Sequence, residues 1–281
     1  MWLYFALASA FFLGLYDITK KISLRKNSVM WVLFSISLFS TVFLSPFFHT
    51  GPAANLALLV PKAFLVTASW ISGLIGMKML PLTTVSTIKA SRPIFVVLFS
   101  IIIFGENFTW TQWVGIILGI TALMMLSRSS RHEGIYFTRN KGIMWMAVSV
   151  VTGVASALYD KFAIGLMDPL FVQCWSNLFI TILMGIVLFV KSLKGSRKRE
   201  RFHWDWYLPL TAAIIVAADA LYFFALDCDG SLLAVISLLR RCSVIVTFIL
   251  GAVIFKEDNI RRKAVDLLVL LAGMSFLLVR A

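Results

Sequence analysis

The sequence predicts an all-α, polytopic membrane protein with ten transmembrane helices arranged as two inverted five-helix repeats. Three observations support this class: the composition, the spacing of apolar runs and an internal similarity. Hydrophobic residues make up 60% of the 281 residues and charged residues only 14%, whereas a soluble domain has about 25% charged residues. This composition cannot cover a water-exposed surface, so the sequence excludes a soluble globular protein.

Ten apolar runs are long enough to cross a bilayer, which takes about 20 residues of helix. The runs are 2–19, 29–48, 58–77, 82–104, 111–127, 142–166, 170–190, 207–226, 231–255 and 264–280. The first run has no charged segment before it and no small-residue cleavage site, so we expect a retained span and not a signal peptide. The short connections leave no room for a soluble domain.

The two halves of the chain resemble each other. The segment ALYDKFAI (157–164) is similar to GLYDITKK (14–21), and LLRRCSVIVTFILGAVIFKE (238–257) is similar to IKASRPIFVVLFSIIIFGE (88–106). We therefore predict a first repeat at 1–127, a connecting loop at 128–141 and a second repeat at 142–281. Because each repeat holds an odd number of spans, the second is inverted, as in many secondary transporters.

The basic residues are distributed asymmetrically. The net charge is +13, from 26 Lys and Arg against 13 Asp and Glu. Loops after odd-numbered spans hold nearly all the basic loop residues, including Lys20, Lys21 and Lys263, whereas the opposite side has only Lys62 and Arg280. The positive-inside rule then places both termini outside, in a bacterial-type inner (cytoplasmic) membrane. The basic excess thus indicates contact with membrane lipids and not with nucleic acid.

Five basic residues lie inside the predicted spans: Lys89, Arg92, Lys161, Arg240 and Arg241. Each costs roughly 2.5–3.5 kcal/mol at the centre of a membrane helix, so we expect them to face a polar interior. Pro93 strengthens this expectation for Lys89, because proline removes the hydrogen bond to the carbonyl four residues earlier and tends to kink the helix. An unsatisfied carbonyl is tolerated only where it lines protein or water.

Two explanations of these cations remain open. Intramembrane acids can neutralise them, with Asp17, Asp160 and Asp219 as the charge-pairing or coupling candidates. Alternatively the cations bind substrate: at the 151-residue offset Lys89 aligns with Arg240, which would bring both to one central cavity. Lys161 fits either explanation. Asp219 either pairs with Arg240 or Arg241, the version we favour, or carries a coupled proton.

Aromatic residues beside the intramembrane acids extend the candidate site. Tyr16, Tyr159 and Tyr222 each lie next to, or one helical turn from, an aspartate. A buried tyrosine hydroxyl can orient a substrate or shield its apolar part. The substrate-binding candidates are therefore Lys89, Arg240, Arg241, Arg92, Lys161, Tyr16, Tyr159 and Tyr222.

The repeat ends carry a family resemblance. The segments PIFVVLFSIIIFGENFTWTQWVGIILGITAL and VIVTFILGAVIFKEDNIRRKAVDLLVLLAG resemble EamA-type permeases of the drug/metabolite transporter superfamily, as do Glu106, Glu257, Gln112 and Gly115. TIKASRPIF and ISLLRRC further resemble the fourth-span and ninth-span segments of plastid sugar-phosphate/phosphate translocators. That resemblance implies anion binding by Lys89, Arg240 and Arg241, and obligate exchange. Arg240 stands where those translocators have a lysine.

The predicted function is secondary transport of a small organic anion, phosphorylated or carboxylated, by alternating access. Exchange (antiport) and ion coupling both remain open, and the alternative is an exporter of amino acids or other neutral or zwitterionic metabolites. No nucleophile, His cluster or paired-carboxylate motif indicates an enzyme. We expect no cofactor or metal, and a monomer or homodimer.

Overall fold

The computed structural model describes residues 2–48, 53–92, 94–95, 99, 109–131, 133–164, 166–193, 202–227, 239–257 and 259–278, and all regular elements among them are helical. We number the helices in chain order. They are α1 (Trp2–Ser23), α2 (Val29–Leu44), α3 (Ala53–Met79), α4 (Leu82–Ala90), α5 (Trp110–Arg131), α6 (Lys141–Ile164), α7 (Pro169–Leu193), α8 (Tyr207–Asp227), α9 (Ser243–Phe255) and α10 (Ile260–Leu278). A short 3₁₀ turn, Ser45–Phe47, extends α2.

Six of the described helices are long and apolar enough to cross a membrane: α1, α2 with its 3₁₀ turn, α3, α5, α6 and α7. Large apolar side chains such as Phe64, Ile117 and Val253 are more than half exposed. Such surfaces are stable in lipid and not in water. The protein is therefore a multi-pass membrane protein, as the composition predicted.

Helix packing follows a regular scheme. The most extensive contacts join α3 to α6, α1 to α8, and α5 to α10. Further contacts join α2 to α7, α3 to α7, α2 to α8, α1 to α9, and α4 to α9. The helices of the first half of the chain, α1–α5, therefore pack mainly on those of the second half, α6–α10. The hydrophobic core lies between these two groups of helices.

Glycines bring α5 and α10 into close contact. Gly115 and Gly119 are four residues apart on α5 and face Gly273 of α10. A Cβ atom added to Gly273 would lie 2.8 Å from the carbonyl oxygen of Gly115 and 3.0 Å from the backbone nitrogen of Gly119. Small residues at this spacing allow two membrane helices to approach closely.

Two helices are interrupted at corresponding positions. α4 ends at Ala90, and the Ser91 amide donates to the Ile88 carbonyl in a tight turn at 3.2 Å. The Cys242 amide donates in the same way to the Leu239 carbonyl at 3.0 Å, directly before α9. Ser91 and Cys242 are separated by the offset that relates the two similar segments. Pro93 itself lies outside the described residues.

Three sequence predictions need correction here. α1 continues to Ser23, so Lys20 lies inside a helix and is only 4% exposed, not in a loop. Lys21 is also helical, and its ammonium donates to the carbonyls of Met77, at 2.7 Å, and Leu80. Lys263 is fully buried in α10 and is likewise not a loop residue. The sequence alone does not show that a helix continues past such a lysine. The lysine stem is itself apolar and can be buried within the helix bundle.

Candidate functional site

Lys89 of α4 forms an ion pair with Asp17 of α1. The Lys89 Nζ lies 2.7 Å from Asp17 Oδ1, and the two side chains are 20% and 19% exposed. The pairing shows that an intramembrane acid neutralises Lys89 in this conformation, the first of the two explanations left open by the sequence.

Arg240 forms a second ion pair, with Asp219 of α8. One guanidinium nitrogen donates to Asp219 Oδ1, and Gln173 Nε2 of α7 donates to the other carboxylate oxygen at 3.0 Å. The guanidinium carbon of Arg240 also lies 4.4 Å from the ring centre of Tyr222, a cation–π geometry. Of the two arginines that the sequence offered as partners of Asp219, the one in contact with it is Arg240.

Lys20 is a member of the site that the sequence analysis missed. Its ammonium lies 4.0 Å from the ring centre of Tyr16 and 5.9 Å from that of Trp70. It also interacts electrostatically with Asp17, three residues earlier on α1. The spacing of Tyr16, Asp17 and Lys20 at i, i+1 and i+4 places the first and last on one helix face. This spacing could have identified Lys20 as a site residue from the sequence. It was overlooked because the predicted first span ended at residue 19, before Lys20.

Arg92 is held between α3 and α6. One of its terminal nitrogens donates to Ser69 Oγ at 3.1 Å, to Ser149 Oγ at 2.8 Å and to the Ser149 carbonyl at 3.1 Å. Gly153 makes room for the guanidinium, because a Cβ there would lie 2.8 Å from Arg92 Cζ. Arg92 therefore has hydroxyl and carbonyl partners on two helices that pack together. Its Nε is buried and has no hydrogen-bond partner among the residues that the structure describes.

Arg241 is exposed and has no carboxylate among the described residues within ion-pair distance. It lies close enough to Arg240 and Arg92 to repel both electrostatically. Two neighbouring guanidinium groups raise the local positive potential. Arg241 is therefore the accessible cation of the site.

Electrostatic contacts join these residues into one charged cluster, which we define as Asp17, Lys20, Lys89, Arg92, Asp219, Arg240 and Arg241. Tyr16 interacts with both Asp17 and Asp219, and Arg92 interacts with both Asp17 and Arg241. The described cluster therefore contains five basic and two acidic side chains. It has an excess of positive charge.

Three remaining candidates are not shown in the cluster. The Tyr159 hydroxyl donates to the Leu58 carbonyl at 2.6 Å, a contact between α6 and α3, and its ring lies against a separate group of buried apolar residues. The side chains of Asp160 and Lys161 lie outside the described residues. Their assignments stay predictions.

A second polar network ties helix ends together away from the cluster. Glu257, after α9, accepts hydrogen bonds from the amides of Leu82 and Thr83 (2.9 Å) and from the Thr83 hydroxyl (2.6 Å) at the start of α4. A carboxylate stabilises such orphan amides and the helix dipole. The Lys263 ammonium donates to Thr83 Oγ1 at 3.1 Å and to Glu133 at 2.7 Å. Glu257 therefore caps the N-terminus of α4.

Comparison with known proteins gives one family. Residues 1–128 match the model of the EamA-like transporter family, a little under half of the chain. No curated protein matches the sequence. Residues 1–128 are thus similar to an EamA-like transporter family domain, and the chain is a multi-pass membrane protein.

Proposed function

We propose that the protein is a secondary transporter that moves a small organic anion, phosphorylated or carboxylated, by alternating access. The proposal rests mainly on the excess of cations in the charged cluster, in which Arg241 is exposed and has no acidic partner among the described residues. Arginine forks favour carboxylate and phosphate oxygens. Transport would use exchange or an ion gradient, without enzymatic turnover of the substrate.

Two inverted five-helix repeats are part of this proposal. Exchanging α1–α5 with α6–α10 maps the contact of α3 and α6 onto that of α8 and α1, and the contact of α3 and α7 onto that of α8 and α2. The contacts of α2 with α7, α4 with α9 and α5 with α10 map onto themselves. The matching turns at Ser91 and Cys242 also support it. Broken helices near a pseudo-twofold axis are a common basis of transporter sites.

An anion would bind first to the accessible Arg241 and then compete with the two acids. Arg240 and Lys89 already hold carboxylates, those of Asp219 and Asp17. A substrate carboxylate or phosphate can replace either acid as the partner of its cation, and the displaced acid then keeps a remaining contact, Lys20 for Asp17 and Gln173 for Asp219. Such exchange of partners gives the substrate a differential contact between two conformations, as alternating access requires. Tyr222 and Tyr16 would flank the apolar part of the substrate.

The network of Glu257, Thr83, Lys263 and Glu133 would close one end of the transport path. It joins α4 of the first half, the connecting loop, and α10 of the second half. Rocking of one half against the other requires these bonds to break. The charge asymmetry of the loops supports an orientation with this end in the cytoplasm and both termini outside.

The alternative function is export of amino acids or other neutral or zwitterionic metabolites. Its supporting observation is that Lys89 and Arg240 are both paired with acids. A zwitterion could insert its ammonium and carboxylate between the members of one pair. This alternative predicts no special role for Arg241.

Thermal stabilisation of the purified protein in detergent tests the two functions. A ligand at many times its dissociation constant stabilises the folded state by about 3–4 kcal/mol. The panel would contain phosphate, sugar phosphates, phosphoenolpyruvate, dicarboxylates and amino acids. Anion transport predicts stabilisation by the phosphorylated or dicarboxylate compounds, lost in Arg241→Gln and retained in Arg262→Gln, an exposed arginine of α10. Stabilisation by amino acids alone, unchanged in Arg241→Gln, would contradict the anion proposal and support the exporter.

A further inference from the structure

An apolar cleft of about 500 Å³ lies between α4, α5 and α6, apart from the charged cluster. Its inner wall includes the buried side chains of Ile88 and Ser91, and its outer edge includes Met124 and Val151, which are 62% and 59% exposed. Because exposed apolar residues of a membrane protein face lipid, the cleft opens sideways into the bilayer. Molecules that enter it come from the hydrocarbon phase.

The lining residues of the cleft extend along the axes of α5 and α6. Its α5 wall contains Ile120, Met124 and Ser127, and its α6 wall runs from Ile143 to Val154. These positions recur at three-residue and four-residue intervals, so each helix contributes one face. The α6 wall spans about 16 Å at the rise of an α-helix, which is close to the thickness of one leaflet of the hydrocarbon core, about 15 Å. A single acyl chain has matching shape and polarity.

Basic residues surround the end of the cleft where α5 ends and α6 begins. Arg128 and Arg131 each follow a cleft residue of α5 by four positions, and Arg139 and Lys141 immediately precede the α6 wall. All four are exposed, and no carboxylate of the described residues lies within ion-pair distance of them. Their charge is therefore available to an anionic group at the membrane surface.

We propose that this cleft is a binding site for an anionic phospholipid. One acyl chain occupies the apolar cleft, and the phosphate of the headgroup binds Arg128 and Arg131. Arg139 and Lys141 complete the basic rim and favour a headgroup with net negative charge. This rim lies at the end of α5, the start of α6 and the connection between them, a part of the chain that the positive-inside rule assigns to the cytoplasm, where the leaflet carries anionic lipid.

The site also contacts the part of the molecule that moves in the proposed transport. Ile88 and Ser91 flank Lys89 and Arg92 on the interrupted helix. A chain bound in the cleft packs against the turn at the end of α4. The lipid site itself does not depend on the transport proposal, because its argument uses only the cleft and the rim.

Lipid binding can be measured directly on the full chain. The purified, delipidated protein is titrated with dioleoyl phosphatidylglycerol and, separately, dioleoyl phosphatidylcholine, and bound lipid is counted by native mass spectrometry. We expect tighter binding of the anionic lipid. Arg128→Gln and Arg131→Gln should each weaken it about fivefold, whereas Arg261→Gln and Arg262→Gln, which remove the same charge elsewhere, should not. Equal affinity for the two lipids, or equal loss in the control pair, would overturn the headgroup assignment.

A second pair of variants tests the cleft. Ala147→Trp fills the apolar volume from the α6 wall and should reduce binding of both lipids. Ile117→Trp adds the same side chain to α5 at a position 61% exposed that does not line the cleft, and should leave binding unchanged. Thermal unfolding checks that both variants fold. Wild-type lipid binding by a folded Ala147→Trp protein would refute the site. Since no transport substrate is used, this failure is distinct from failure of the transport proposal.

Discussion

Variants of the ion pair between Lys89 and Asp17 can separate the contribution of Lys89 to stability from its contribution to transport. Lys89→Met leaves the Asp17 carboxylate, only 19% exposed, without its closest partner. Removal of one member of a buried pair costs roughly 3–5 kcal/mol. Because Asp17 is partly accessible and keeps Lys20 nearby, we expect the lower end, about 3 kcal/mol. Asp17→Asn should destabilise by a similar amount.

The double variant Lys89→Met/Asp17→Asn removes both charges of this ion pair, and Lys20 keeps its cation–π contact with Tyr16. We expect its free energy of unfolding within about 1 kcal/mol of the wild type, because replacement of a buried pair by apolar or neutral groups is often neutral. In a thermal unfolding assay in detergent, each single variant should lower the midpoint by roughly 6–12 °C. The double variant should recover most of this loss.

Transport by the same variants reconstituted in liposomes then shows what Lys89 does. If Lys89 binds the substrate anion, the stable double variant should not transport, and Lys89→Arg should retain part of the activity. Single and double variants of equal stability would refute the reasoning on the pair. Wild-type transport by the double variant would refute the role of Lys89 in substrate binding.

Three further changes test the packing and the polar network. Gly273→Ala should destabilise the protein by roughly 1–3 kcal/mol, because the added Cβ meets the α5 backbone. Gly185→Ala is the control, since its Cβ would lie 3.5 Å from the nearest side chain. This control variant should unfold at the wild-type temperature or above. Glu257→Ala removes the cap of α4 and should cost about 1–2 kcal/mol in thermal unfolding; an unchanged midpoint would mean that water satisfies the amides. Lys263→Met should destabilise through the unpaired Glu133, and adding Glu133→Gln should restore the midpoint; absence of this rescue would contradict a coupled pair.

Part of the site could be predicted from the sequence because it depends on local properties. A basic residue within an apolar run is costly wherever the helix lies, so Lys89 and Arg240 were identified without a structure. Asp219 was predicted to pair with one of two adjacent arginines, and the structure selected Arg240. The choice required the relative rotation of α8 and the turn before α9, which no local pattern contains.

The charged cluster also shows where local reasoning fails. Lys20 was assigned to a loop because the first span was ended just before the first basic residue, yet the helix continues and packs the Lys20 ammonium against the Tyr16 ring. Arg92 was a substrate candidate on spacing alone, and its guanidinium lies among hydroxyl and carbonyl groups of α3 and α6. These partners are distant in sequence, so their proximity follows only from helix packing.

By itself the sequence determined that this is a membrane protein of many helices, which segments are apolar, and that cations lie within them. Those properties follow from summed transfer free energies along the chain, which are independent of its fold. Only the tertiary structure decided which acid neutralises which cation, that Arg241 stays accessible, and that a lipid-facing cleft lies beside a basic rim. Such features depend on distances between helices, and a few ångströms decide between an ion pair and an unpaired charge.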